Sequence, residues 1–307
     1  MKENTKAILL AMGAVLSWST VATAFKKSLE NLSPYGMLLV ASITSLVIFT
    51  ITIAIQRNWK QITSLSGKTW GYFALLGLLN PVTYYLVLFM SYDMLPAQVA
   101  QPVNYFWPIC LLVLLAIFTK QSIPAKKYIG MFISLGGLIL ISSGGKLSDN
   151  MDIPAFGLIL GLLSAVLWAT YWMVNNKNKE KTNATVACFM SFLFGSIYLA
   201  IGMPFVGQEG MLAESSNANL IDGILYSIYV GAFEMGIPFI CFGLAMRKTN
   251  NPALINQLCY LSPFMSLFFV STILGEQIVP TTYIGLALIV AGIVFNEYFA
   301  GHKKKTA

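Results

Sequence analysis

Long apolar runs alternate with short polar connections along the whole chain. Crossing a bilayer as a helix takes about 17–25 predominantly apolar residues. Ten runs meet that length: 7–25, 36–56, 70–90, 97–118, 127–143, 154–174, 185–205, 221–246, 253–274 and 281–300. The longest polar connection lies between Gly207 and Asn219, so the pattern leaves no room for a soluble domain. The N-terminus, with Lys2, Lys6 and Ala22-Thr23-Ala24, has the outline of a secretory leader. Its apolar stretch is long enough to span and has a counterpart later in the chain, so it is read as the first helix. The pattern predicts an all-α polytopic membrane protein with ten transmembrane helices.

Composition sharpens this picture. Of 307 residues 57% are hydrophobic and only 10% charged, against about 25% charged in soluble domains. A soluble globule and a disordered chain are both excluded. Cys110, Cys188, Cys241 and Cys259 all lie inside apolar runs without CxxC spacing, which argues against zinc and disulfide frameworks. His302, the single histidine, sits in the basic tail. Histidine-based nucleophilic catalysis or metal ligation has no raw material in the body of the chain.

The net charge of +7 can mean an acidic partner or membrane orientation. With the N-terminus placed in the cytoplasm and the runs alternating, sixteen of the 19 Lys and Arg fall on the cytoplasmic side. Only Lys26, Lys27 and Lys146 fall outside. This segregation predicts both termini inside and gives no reason to expect a nucleic-acid partner. The partners expected are membrane lipids and a small-molecule solute, in a monomer or homodimer.

The chain also repeats itself. At an offset of 150, Leu16-Ser17-Trp18-Ser19-Thr20 falls on Val166-Leu167-Trp168-Ala169-Thr170. At an offset of 155, Asn104-Tyr105-Phe106-Trp107-Pro108 falls on Cys259-Tyr260-Leu261-Ser262-Pro263, Tyr128-Ile129-Gly130 on Tyr283-Ile284-Gly285, and Gly137 on Gly292. The matches keep their order, which predicts two five-helix repeats, residues 1–150 and 151–307. Five is odd, so the second copy enters the membrane from the opposite side. Such inverted repeats accompany alternating access around a midplane site.

Trp18-Ser19-Thr20, together with Leu274-Gly275-Glu276-Gln277 leading to Tyr283-Ile284-Gly285 and Gly292, resembles the EamA branch of the drug/metabolite transporter superfamily over essentially the whole chain. Val103-Asn104-Tyr105-Phe106-Trp107-Pro108 and Leu167-Trp168-Ala169-Thr170-Tyr171 with Asn176-Lys177 are similar to the fourth and sixth helices of aromatic amino-acid exporters of the YddG type. The third and eighth helices carry no clear motif of that subgroup. The resemblance implies an inner-membrane exporter of small metabolites, with helices 1, 3, 4, 6, 8 and 9 around a central cavity.

Several residues can carry chemistry in such a cavity. Glu234 is the one acid deep inside a run, and burying a carboxylate in hydrocarbon is expensive. It either binds a substrate amine or exchanges a proton, or else it is a protonated packing residue. Pro238, four residues on, removes the hydrogen bond to the Glu234 carbonyl and predicts a kink. Pro102, Pro108 and Pro263 likewise free carbonyls at Gln98, Asn104 and Cys259, where water, a side chain or a ligand must step in. Asn104, Tyr105, Trp107, Gln257, Tyr260 and Ser262 surround these prolines. Trp18, Thr20, Asn80, Tyr84, Tyr85, Trp168 and Tyr171 lie at similar depth. Aromatic rings with polar handles suit a flat or amphipathic solute and can hold an ammonium by cation–π contact. With 20 Phe, 14 Tyr and 6 Trp, most single aromatics are packing or interface residues. Glu297, near the end of the last run, is read as structural. The glycines on helices 5, 6 and 10 are read as packing positions. No phosphate-binding glycine loop is present, so no cofactor is expected and ATP-driven transport is not indicated.

These features point to a secondary transporter rather than an enzyme, carrying a small metabolite. An amino acid is expected, and an aromatic one if the subgroup resemblance holds. The alternatives are a drug or nucleotide-sugar carrier of the same superfamily, or an integral-membrane enzyme, which would need clustered carboxylates that the scattered outer acids do not supply.

Overall fold

The computed structural model describes residues 3–119, 125–142, 153–176, 182–207, 209–214, 218–249, 254–255 and 258–300. The main elements are helices, as hydrocarbon requires of a backbone that must satisfy its own hydrogen bonds. In chain order they are α1 Glu3–Leu29, α2 Pro34–Gln56, α3 Trp59–Thr63, α4 Gly67–Gly77, α5 Tyr84–Met94, α6 Ala97–Asn104, α7 Trp107–Thr119 and α8 Ala125–Ser142. The second part comprises α9 Ala155–Asn176, α10 Ala184–Val206, α11 Leu220–Val230, α12 Ile237–Lys248, α13 Leu261–Ile273 and α14 Pro280–Ala300. Two six-residue irregular segments join α4 to α5 and α11 to α12: Leu78–Thr83, where the helix breaks at Asn80, and the π-helical Gly231–Gly236. Among the described residues the one isolated extended pairing is between Leu32 and Leu212.

Helix starts follow local chemistry. Ser33 Oγ accepts from the Gly36 N–H at 3.1 Å to cap α2, whose first residue is Pro34. Asn183 and Asn219 cap α10 and α11 in the same way, each accepting at 3.0 Å.

Eight helical segments among the described residues are long and apolar enough to cross a membrane: Glu3–Leu29, Pro34–Gln56, Gly67–Met94, Ala97–Phe118, Ala155–Asn175, Ala184–Val206, Leu220–Lys248 and Pro280–Glu297. They coincide with eight of the ten expected runs. The other two runs, 127–143 and 253–274, hold α8 and α13, whose described lengths are 18 and 13 residues. At 1.5 Å per residue the second reaches about 20 Å, short of the hydrocarbon thickness of about 30 Å.

The packing brings distant parts of the chain together. α1 lies against α11, α12 and α13, and α9 against α5, α6 and α7. α2 packs on α10 and α11, α10 on α4, and α8 on α14. The last pair is held by glycine: Gly130 meets Gly292, and Gly137 meets Gly285. The backbones approach so closely that a Cβ at any of the four would strike the opposite helix. Ser134 Oγ adds a hydrogen bond to the Ile289 carbonyl at 3.1 Å. On α9, Gly157 and Gly161 admit the side chains of Leu95 and Val103. The glycine positions are therefore packing positions within the chain.

Candidate functional site

The site grows from breaks in helices. Glu234 lies in the π segment Gly231–Gly236, just before Pro238. Pro238 has no N–H, so the Glu234 carbonyl loses its expected intrahelical donor. The Trp18 indole Nε1–H, from α1, donates to that carbonyl at 3.2 Å. The Tyr85 hydroxyl donates to Glu234 Oε1 at 3.2 Å. Trp18 and Glu234, singled out separately in the sequence, are thus joined through the atom the proline frees. Glu234 lies deep in protein yet keeps some accessible surface, as a residue lining an internal space does.

Next to this carboxylate runs a continuous set of rings. Tyr84 stacks on Trp168 with centroids 4.6 Å apart and planes at 28°. Trp168 stacks on Tyr171 at 5.4 Å and 23°. Phe239 lies 6.2 Å from Trp168, and Trp172 meets it edge-on at 6.0 Å. Trp107 joins the set through Trp172, at 6.5 Å. Polar groups fix the rings. The Tyr84 hydroxyl donates to Asn104 Oδ1 at 3.4 Å, and Asn104 Nδ2 donates to Ser164 Oγ at 2.9 Å. The Tyr171 hydroxyl faces Asn80, which is fully buried and whose amide atoms make no hydrogen bond.

The remaining expected residues divide. Thr20 Oγ1 lies 2.7 Å from the Tyr229 hydroxyl, on the span that carries Glu234. Tyr105 occupies the turn between α6 and α7 and faces Ser262, next to Pro263. Pro108 opens α7 just after that turn. Tyr260 makes its hydrogen bond outside the ring set: its hydroxyl donates to Glu297 Oε1 at 2.6 Å, which gives Glu297 a structural partner. The Cys259 carbonyl, expected to be free, accepts from the Ser262 N–H at 3.1 Å, so a tight turn satisfies it. Gln257 lies outside the described residues.

Ser164, Trp172, Tyr229 and Phe239 also belong to the cluster. The first two carried a readable signal, since Ser164, Trp168 and Trp172 are spaced four apart on one helical face. Among the described residues no three His, Cys, Asp or Glu side chains converge as a metal centre, and no Lys or Arg stands in the cluster.

A carboxylate beside a wall of rings, deep in an apolar bundle, is suited to binding. Comparison with known proteins gives this arrangement its context. The model of the EamA-like transporter family matches the chain twice, over residues 5–143 and 155–298.

The chain belongs to the EamA-like transporter family.

Relatives extend along nearly all of this EamA-like chain. It is 22% identical over 301 residues to the aromatic amino acid exporter YddG of Salmonella typhimurium, covering 94% of this chain and 96% of that one. It is 25% identical over 292 residues to the transporter YvbV of Bacillus subtilis, covering 94% and 91%. A solved crystal structure superposes with a TM-score of 0.65 at 19% identity, over 98% of this chain and 99% of its own, which shows a shared fold. The family and the apolar helices make this chain a multi-pass membrane transporter.

Proposed function

We propose that this chain is a secondary transporter that exports small metabolites across the cytoplasmic (inner) membrane by alternating access. Its cargo is an amino acid, and the ring cluster favours an aromatic one. The observation that carries this reading is the central constellation of Glu234, Trp18 and Tyr85 beside the Tyr84–Trp168–Tyr171 stack. The carboxylate pairs with a substrate ammonium or passes a proton, and the rings receive a flat side chain. The indole, amide and hydroxyl donors around it serve a substrate carboxylate without a fixed cation. A nucleotide sugar, with its phosphates, finds no cationic partner in the described cluster.

The architecture in this reading is two inverted five-helix repeats, residues 1–150 and 151–307, with both termini in the cytoplasm. Three observations support it. Exchanging the halves interchanges three of the main contacts: α1 on α12 becomes α9 on α5, α1 on α13 becomes α9 on α7, and α10 on α4 becomes α2 on α11. Gly130 corresponds to Gly285 and Gly137 to Gly292, so a two-fold axis requires the contact Gly130–Gly292 to have the mate Gly285–Gly137. Both contacts are present. The irregular segments Leu78–Thr83 and Gly231–Gly236 also occupy corresponding places, in the third span of each half.

The deciding experiment is counterflow. Purified protein in liposomes, preloaded with one unlabelled solute, is offered a panel of labelled amino acids and other metabolites. Accumulation of one chemical class above protein-free liposomes supports the reading. No solute-specific exchange across the panel overturns it.

A further inference from the structure

We propose that Glu276 and Gln98 form the gate at the end of the pathway that carries Lys26. This rests on the transport reading above, but the residues lie outside the central cluster.

The corner between α5 and α6, at Leu95-Pro96, is held from both sides. Lys26 Nζ, near the end of α1, donates to the carbonyls of Tyr92 and Leu95 at 2.8 and 3.2 Å. These sit at the C-terminal end of α5, where helix carbonyls lack partners and favour a cation. Glu276, between α13 and α14, accepts from the Ala97 and Gln98 N–H groups at 2.8 and 3.2 Å, the first free donors of α6. Gln98 returns the grip. Its Nε2 donates to the Gln277 carbonyl at 2.9 Å, and its Oε1 accepts from the Val279 N–H and Thr282 Oγ1 at 3.1 and 3.2 Å. Its side chain is 2% exposed.

Five hydrogen bonds thus tie the first turn of α6 to residues 276–282, across the two halves of the chain. A simple N-cap supplies one acceptor from a neighbouring residue. Here both partners donate and accept. α6 leads directly to Asn104 and Tyr105, six residues or about 9 Å from Gln98, so the clasp lies over the central cluster. Opening this end requires α6 to leave the 276–282 segment, which breaks all five bonds. The break is reversible because water is at hand: a depression of about 550 Å³, lined by Lys26, Gln98, Pro154, Glu276 and Gln277 among others, opens beside the clasp. Water can replace each bond as it parts.

The test uses Thr23→Cys as reporter, in the full chain with Cys110, Cys188, Cys241 and Cys259 replaced by alanine. Thr23 lies one turn below Lys26, buried, with an unpartnered hydroxyl. A membrane-impermeant maleimide is applied to the Lys26 face of proteoliposomes. Glu276→Gln should label about tenfold faster or more, the size of losing hydrogen bonds to a charged acceptor. Glu276→Asp should recover part of the difference. Thr282→Val, which deletes one hydroxyl bond and is mild enough to fold, should label about 2–10-fold faster. Labelling at the parental rate in Glu276→Gln or Thr282→Val protein that elutes like the parent overturns the proposal. If Glu276→Gln does not fold, Thr282→Val alone decides. The readout needs no solute, so failure of the gate is distinguishable from failure of the transport reading in counterflow.

Discussion

Gly136 and Gly137 are neighbours on α8 that differ only in what they face, and alanine at each separates packing from propensity. A Cβ at Gly137 would stand 2.9 Å from both the Ile289 nitrogen and the Leu288 Cβ, and closer still to the Gly285 carbonyl oxygen. Ordinary carbon contacts lie at about 3.5–4.0 Å, so α8 and α14 must part by about 1 Å. Overpacking of this kind costs about 1–3 kcal/mol. Alanine's better helix propensity returns about 1 kcal/mol at either position. A Cβ at Gly136 meets nothing within 4 Å, so that gain stands alone there. The expected order of stability is Gly136→Ala at or above the parent, and Gly137→Ala below Gly136→Ala by about 1–3 kcal/mol. That is about 2–12 °C in Tm, at about 2–4 °C per kcal/mol. Thermal unfolding in detergent, followed by the surviving size-exclusion peak, measures it. Equal melting temperatures for the two variants would refute the claim that α8 and α14 touch through glycine.

Other predictions concern the central cluster. Trp18→Phe removes the donor that fills the proline-freed carbonyl of Glu234, and an unsatisfied buried acceptor costs about 1–3 kcal/mol. Lower Tm and slower exchange are expected, and parental values for both would contradict the assignment. Trp168→Leu deletes the middle ring of the stack. Since such ring pairs are worth about 0.5–1.5 kcal/mol beyond area, the half-saturating concentration of an aromatic solute should rise about 2–13-fold. An unchanged value for that solute in counterflow counts against the ring wall as its seat. Glu234→Gln holds the carboxylate position permanently neutral. Solute exchange by the parent should vary with pH and that of the variant should not, so an unchanged pH profile excludes proton exchange at Glu234.

Much of the fold was legible because its determinants are local. Apolar run length located eight spans, and Pro238 announced both the disruption next to Glu234 and the carbonyl that Trp18 fills. The break at Leu78–Thr83 was less readable. Asn80 was a candidate by depth, yet nothing in Leu78–Thr83 besides Pro81 marks the extended backbone at Asn80, with φ −146° and ψ 116°. The grip of Glu276 on Gln98 was not readable either. It joins residues 178 positions apart, and hydropathy records where an acid lies, not which helix end it will meet. The Cys259 carbonyl shows the opposite failure: the proline rule was sound, but a turn to Ser262 supplied the donor nearby.

The bond from Trp18 to the Glu234 carbonyl also has a meaning in time. The two residues are 216 positions apart. At synthesis rates of about 5–20 residues per second, Glu234 emerges about 10–40 s after Trp18. During that interval the indole N–H waits in the membrane for an acceptor that does not yet exist. The first helix to be inserted is therefore among the last to be completed, and a half-made chain presents the cell with an unfinished polar seam. Biogenesis of this carrier returns to α1 when the span Leu220–Lys248 closes on it.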